Sequence, residues 1–271
     1  MSGQLDGKVA IVTGASRGIG KAIALLFGRE GARVVVAART ERAADHPLPG
    51  TIHETAAEIT ASGGQAPSTG SGQALAVRCD VSDLEDVERL VEATHEAFGP
   101  VDVLVNNAAL NYYIPVREFP LRRWRKMLEV DLTGPFMLIQ AVLPDMLAAG
   151  RGHIVNVSSG AARHPEGPPY ALPPRGGTPY GVVKAGLERL TTGLAHELND
   201  RGIAVNALSP AGVVPTPGVL FHHLIESEDD PRAEPVEYMA RAALFLATCD
   251  PKRHTGLIAC SQLLLREQGL L

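Results

Sequence analysis

Lys8-Val9-Ala10-Ile11-Val12-Thr13 runs straight into Gly14-Ala15-Ser16-Arg17-Gly18-Ile19-Gly20, and the reading of this junction decides the fold. The first six residues are a short β-branched apolar run, as expected of a strand covered on both faces. After the glycines, Ile23, Leu26 and Phe27 recur at helical spacing. A second apolar run, 33–38, follows Gly31, so the unit reads strand, glycine turn, helix, strand, a parallel βαβ of about 30 residues. Glycines at such a turn let backbone approach a pyrophosphate, and the free N–H groups of the helix start favour an anion. A glycine triplet by itself is equally a tight turn; its place between an apolar strand and a helix favours phosphate binding.

Working outward, the apolar-run signature recurs at 74–79, 101–105, 153–157, 203–208 and 257–263, with helical stretches at 85–98, 121–147, 179–198 and 236–247. Seven such strands alternating with helices predict an α/β fold, a Rossmann-type doubly wound parallel sheet. The 271 residues suit one domain spanning 1–271. Three insertions interrupt the rhythm, near 45–50, 62–73 and 163–178. The first sits just after the second strand and the second reads as a flexible, functionally neutral surface loop; neither marks a domain boundary. The third, rich in proline, precedes the helix at 179 and reads either as an irregular loop or as a lid over a site.

Hydrophobic residues at 45%, charged residues at 20% and a mean hydropathy of +0.05 supply a core and leave little room for disorder. A net charge of −5 gives no basic footprint for nucleic acid or an anionic membrane. Cys79, Cys249 and Cys260 are odd in number and lack a CxxC, which argues against disulfides or zinc and fits a reducing cytoplasm. His222-His223 is no metal site either, since adjacent side chains do not face one point. The chain start has no basic segment followed by an apolar run, and no apolar stretch approaches 18 residues, so neither secretion nor a membrane span is expected.

Tyr180 and Lys184 offer a candidate acid–base pair, although the spacing by itself reads as two solvated helix residues. Four apart on a helix, they share a face at about 5–6 Å between Cβ atoms, where an ammonium biases a phenol toward ionising. Acid–base work near neutrality asks for about two to three units of such help. Tyr170 offers no equivalent pair, because its i+4 residue is Pro174.

Taken in order, TGASRGIG at 13–20, Cys79-Asp80-Val81, Asn106-Asn107-Ala108-Ala109, Val155-Asn156-Val157-Ser158-Ser159, Tyr180-Gly181-Val182-Val183-Lys184 and Ser209-Pro210-Ala211-Gly212 resemble the motifs of the short-chain dehydrogenase/reductase family, in its shorter single-domain branch. That resemblance implies a nicotinamide cofactor and hydride transfer between it and a carbonyl or alcohol. It makes Tyr180 the acid/base, Lys184 the residue that lowers the tyrosine pKa and binds the nicotinamide ribose, and Ser159 the residue that positions the substrate oxygen. Asp131 stands where the family has asparagine, whose backbone carbonyl holds a water on the proton path; the aspartate charge is expected to raise the lysine pKa. Pro135 in the same stretch suggests a kink.

By the same resemblance Gly14, Ser16, Arg17, Gly18, Ile19 and Gly20 cradle the pyrophosphate, Asp80 and Val81 meet the adenine, Asn107 lies at the cofactor, and Val213 and Thr216 approach the carboxamide. Asp80 reads alternatively as the cap of the helix starting near 83. At the end of the second strand an acidic residue would select NAD, whereas here Ala38 is followed by Arg39. With Arg17 as a second donor, NADP(H) is expected. The substrate side falls to Leu110-Asn111-Tyr112-Tyr113, the 163–178 insertion and the stretch after Thr216. Asp131, Ala109 and Pro210-Ala211-Gly212 motivate an alternative, a non-catalytic NADP(H)-binding protein on the same fold; the intact Ser159, Tyr180 and Lys184 favour the enzyme. A homotetramer or homodimer is implied, with the 121–147 and 179–198 helices at one interface and the C-terminal segment at another.

Overall fold

The structure, a computed structural model, describes residues 3–63, 73–165, 167–168 and 176–271. Most of the 62–73 insertion and the middle of the 163–178 insertion, with Tyr170, Pro174 and the lid expected there, lie outside the described residues.

Strands β1 (Val9–Thr13), β2 (Arg33–Ala38), β3 (Ala74–Arg78), β4 (Val103–Asn106), β5 (Gly152–Val157), β6 (Ile203–Ser209) and β7 (Ile258–Cys260) form one sheet in the order β3-β2-β1-β4-β5-β6-β7, every neighbouring pair parallel. The helices between them are α1 (Gly18–Arg29), α2 (Ile52–Gly63), α3 (Leu84–Phe98), α4 (Leu121–Leu128), α5 (Gly134–Ala149), α6 (Thr178–Glu197), α7 (Pro217–Phe221), α8 (Val236–Thr248) and α9 (Ser261–Glu267). Because parallel strands are buried on both sides, the core divides in two. Ile23 and Phe27 of α1, Ala243 and Leu246 of α8 and Leu265 of α9 cover one face. Leu90 of α3, Leu138, Val142 and Met146 of α5 and Leu194 of α6 cover the other. The order reverses between β1 and β4, which opens a crevice at the carboxyl ends of the strands.

A polar rung fixes the strands that carry the site. Asn106 Nδ2 donates to Asn156 Oδ1 at 2.9 Å, and Asn156 Nδ2 donates to Thr191 Oγ1 at 2.9 Å. All three are buried, so β4, β5 and α6 are tied in one register by bonds that are costly to leave unmade.

Two expectations about the elements change. The 121–147 helix is not uniform: α4 gives way to a π-helical turn over Glu129–Thr133 before α5 begins. Pro135 has no N–H for the carbonyl of Asp131 four residues back, and the backbone widens into the π-helical turn just ahead of the proline. Together 121–149 is long and apolar enough to cross a membrane by composition, yet its inner residues Leu138, Val142 and Met146 are built into the core of this fold. The last strand, expected over 257–263, stops after Cys260, and the chain turns into α9. Ser261 is fully buried and its hydroxyl donates to Glu234, while Leu264 and Leu265 pack inward at helical spacing.

Candidate active site

A groove of ≈ 340 Å³ runs along the carboxyl ends of β1, β2 and β4, lined among others by Gly14, Ser16, Arg17, Gly18, Ile19, Arg39, Asp80, Val81, Asn107 and Thr216. Gly14 and Gly18 take φ of +64° and +59°, left-handed values that favour glycine. A Cβ on Gly14 would stand 2.9 Å from Ala108 Cα, and one on Gly20 would strike Asn107 Nδ2 and lie 2.6 Å from the Gly14 carbonyl oxygen. Gly20 therefore lies beneath the turn and allows its tight packing. Asn107 props the same turn: its Nδ2 donates to the carbonyls of Thr13 at 2.9 Å and Gly14 at 3.3 Å, and its N–H donates to Thr13 Oγ1 at 3.0 Å. No side chain caps α1 and no acidic residue occupies its first turn, so its N-terminal N–H groups face the groove free for an anion.

Arg17 and Arg39 both reach this groove. Arg17 donates from Nε to the Pro49 carbonyl at 2.8 Å, and from an Nη to the Gly50 carbonyl at 2.8 Å and Thr40 Oγ1 at 3.2 Å. The 45–50 insertion orients Arg17 and brings His46 and Leu48 to the groove wall. Arg39 lies 3.6 Å from Asp80 Oδ2. Asp80 Oδ1 accepts from the Ser82 N–H and hydroxyl at 3.1 and 2.6 Å. It does not cap α3; that cap is Asp83, which accepts from the Asp86 N–H at 3.1 Å.

Beyond the groove, β5 delivers two serines in different settings. Ser158 is buried and donates to Glu188 at 2.6 Å. Ser159, at the strand end, is half-buried, accepts from the Ala161 N–H at 3.2 Å and hydrogen-bonds to the Tyr180 phenol. Lys184 Nζ lies 5.6 Å from the centre of the Tyr180 ring and donates to the Val157 carbonyl at 2.9 Å. Asp131 is fully buried; Oδ1 accepts from the Leu110 N–H at 2.7 Å, while Oδ2 has no hydrogen-bond partner and stands 3.8 Å from Lys184 Nζ. Leu110 also lines the groove, so the Asp131–Lys184 pair adjoins it directly.

The electrostatics correct one expectation. Tyr180 is not pulled toward ionisation: burial raises its pKa, the Asp131 charge raises it further, and the Ser159 hydrogen bond opposes both. Burial lowers the Lys184 pKa, with Asp131 and Glu188 pulling it back up. Burial lifts Asp131 to about 6 against the pull of Lys184 and the Leu110 hydrogen bond. An ammonium already committed to a carbonyl and a carboxylate has little left for the phenol.

One turn was not legible in the sequence as a built feature. Glu234 is fully buried and accepts from the N–H groups of Ala211 at 2.6 Å and Gly212 at 2.7 Å as well as from Ser261. It holds the Pro210-Ala211-Gly212 turn. Val213 pairs in a β-bridge with Ala233, and Thr216 caps α7 and packs beside Gly18. Asn111, Tyr112 and Tyr113 line a separate cavity of ≈ 590 Å³ with His222, His223 and Arg232; the two histidines join no metal-holding cluster among the described residues.

Residues 8–219 match the family model for short chain dehydrogenase. The chain belongs to that family. Among its relatives, hydroxysteroid dehydrogenase-like protein 2 of Danio rerio is 36% identical over 99% of this chain, which spans only 60% of that relative's length. A short chain dehydrogenase from Mycobacterium thermoresistibile superimposes with a TM-score of 0.81 at 34% identity, covering 98% of this chain and 88% of its own. A metagenomic short-chain oxidoreductase, solved in complex with NADP, gives 0.74 at 31% identity over 95% and 98% of the two chains.

The groove fits a dinucleotide cofactor such as the NADP held by that metagenomic oxidoreductase. The glycine turn packs tightly against Asn107 and Ala108 with no side chains on Gly14, Gly18 and Gly20, and α1 opens on uncapped N–H groups, which suits a pyrophosphate. Ser159, Tyr180 and Lys184 stand together, linked to the groove wall through Asp131 and Leu110.

Proposed function

We propose that the protein is an NADP(H)-dependent oxidoreductase interconverting a carbonyl and an alcohol, with Tyr180 as acid/base. The observation that carries this reading is the convergence of Ser159, Tyr180 and Lys184, with Lys184 paired to Asp131, whose partner Leu110 lines the groove. The bound nicotinamide supplies or accepts the hydride. Ser159 hydrogen-bonds and positions the substrate oxygen. Tyr180, kept protonated by burial and by the Asp131 charge, donates its proton to that oxygen in the reducing direction. Lys184 and the Asp131 carboxylate stand behind the tyrosine as the groups through which the proton is replaced. The ≈ 590 Å³ cavity beginning at Asn111 and Tyr113 takes the rest of the substrate; burial raises the Tyr113 pKa and the nearby Tyr180 raises it further.

NADP(H) over NAD(H) is supported by Arg17 and Arg39 in the groove, with no acidic residue at the end of β2. The test is NADPH oxidation across a panel of ketones and aldehydes, with Tyr180→Phe and Arg39→Ala alongside. Tyr180→Phe should abolish turnover and leave NADPH binding intact; Arg39→Ala should lose NADPH affinity far more than NADH affinity. Binding of NADPH without turnover of any carbonyl would favour the non-catalytic reading, and equal losses in Arg39→Ala would overturn the NADP(H) assignment. A homo-oligomer is proposed on the exposed apolar side chains Leu121, Phe136, Leu147 and Val182 of α4, α5 and α6; light scattering on the purified protein decides it.

A further inference from the structure

His46 occupies the groove wall in the company of Arg17, Arg39 and Thr40, and it is half-buried there. Its Nδ1 accepts a hydrogen bond from the Leu48 N–H at 3.1 Å. That bond settles the tautomer: with the Nδ1 lone pair in use, the neutral ring carries its proton on Nε2. Among the described residues Nε2 has no hydrogen-bond partner.

The charged groups around the ring favour the neutral, donating form. Arg17 faces it from the start of α1 and Arg39 from the end of β2; burial first, and then these two charges, lower its pKa. In its own loop Asp45 is occupied by the N–H groups of Glu41 and Arg42 and by the Arg42 side chain. Glu41 pairs at 3.9 Å with His53 and Arg78, and Asp80 is drawn to Arg39 and Lys126, each at 3.6 Å. Two guanidinium groups, a hydroxyl and a ring N–H thus line one end of the groove, a donor set suited to a phosphate monoester.

We propose that His46 is a third ligand of the cofactor's 2′-phosphate, donating from Nε2 beside Arg17 and Arg39. This rests on the NADP(H) reading above. It assigns a specificity role to a turn that the sequence leaves looking like plain surface. A purely structural His46 would behave differently, because its bond to Leu48 steadies the turn whose Pro49 and Gly50 carbonyls hold Arg17. Loss of that support would disturb whatever the groove binds, with or without a 2′-phosphate.

Calorimetric titration of the full chain with 2′,5′-ADP and with 5′-ADP separates these cases. The unaltered protein should prefer 2′,5′-ADP; no preference would remove the NADP(H) reading and this inference with it. If the preference exists, His46→Ala should weaken 2′,5′-ADP roughly tenfold, as expected for one hydrogen bond to a charged group, and leave 5′-ADP unchanged. Equal weakening of both ligands, or of neither, overturns the His46 role while leaving the NADP(H) reading standing. Should the variant not fold, long-range ¹⁵N NMR of the unaltered protein decides. The free ring should be the Nε2–H tautomer, and its Nε2 resonance should move with 2′,5′-ADP and stay put with 5′-ADP. An Nδ1–H tautomer, or the same response to both ligands, sinks the proposal.

Discussion

Asp131 and Lys184 form an ion pair of 3.8 Å in which neither side chain is more than 3% exposed. Two opposite charges this deep are held at a cost in desolvation that only their mutual attraction and further hydrogen bonds offset. Lys184 has its further bond, to Val157; Asp131 Oδ2 has none.

Replacing Asp131 with Asn should therefore change the pH profile in a direction that can be worked out. Above about pH 6 the carboxylate is charged and opposes ionisation of Tyr180. The variant lacks that charge, so its phenol ionises at lower pH, by on the order of one unit. In the alcohol-oxidising direction the rise of kcat/KM with pH should start correspondingly earlier. Below about pH 6 the natural carboxyl is protonated, and the two profiles should converge. Superimposable profiles throughout would mean that Asp131 carries no charge in the working enzyme.

The two adjacent serines should separate cleanly. Ser159→Ala, which removes the partner of Tyr180, should lower kcat about 10²- to 10³-fold, the scale for losing one donor to the reacting oxygen, with unchanged urea midpoint. Ser158→Ala removes a bond to Glu188 inside the fold and should cost about 1 kcal/mol of stability while leaving kcat within a small factor. Comparable kinetic losses in both variants would contradict the assignment.

Glu234→Ala strips the acceptor from Ala211 N–H, Gly212 N–H and the Ser261 hydroxyl at once. Leaving such donors buried and unpaired should destabilise the protein by about 3 kcal/mol. Glu234→Gln, which keeps one acceptor oxygen, should lose about half as much. Chemical denaturation measures both, and a midpoint in the alanine variant equal to that of the unaltered protein would show that water replaces the carboxylate.

At Gly20 an added methyl group would collide with Asn107 Nδ2 and the Gly14 carbonyl. Gly20→Ala should weaken NADPH and NADH binding alike, by roughly tenfold or more, at a stability cost of about 1–3 kcal/mol. Fluorescence titration with both cofactors checks this; a loss confined to NADPH would place the defect at the 2′-phosphate end instead.

What the sequence by itself determined is local. The passage from Val12 and Thr13 through the glycines into Ile23 and Phe27 is set by strand and helix periodicity and by the left-handed turn at Gly14 and Gly18. Tyr180 and Lys184 share a helix face at any register of the surrounding fold. Ser159 could be preferred to Ser158 by resemblance, but only the folded chain shows that Glu188 occupies the other serine. The long-range arrangements were decided by tertiary structure alone. Nothing near Glu234 in sequence announces that it will hold residues 211 and 212 and end the last strand at Ser261. The 45–50 turn looks like solvent-facing loop until its carbonyls are found on Arg17. The sign of the tyrosine shift likewise could not be read from the spacing of Tyr180 and Lys184. Spacing along a helix fixes which side chains are neighbours, whereas a pKa depends on how much water the distant parts of the chain exclude and on which charges, here Asp131, they bury beside the group.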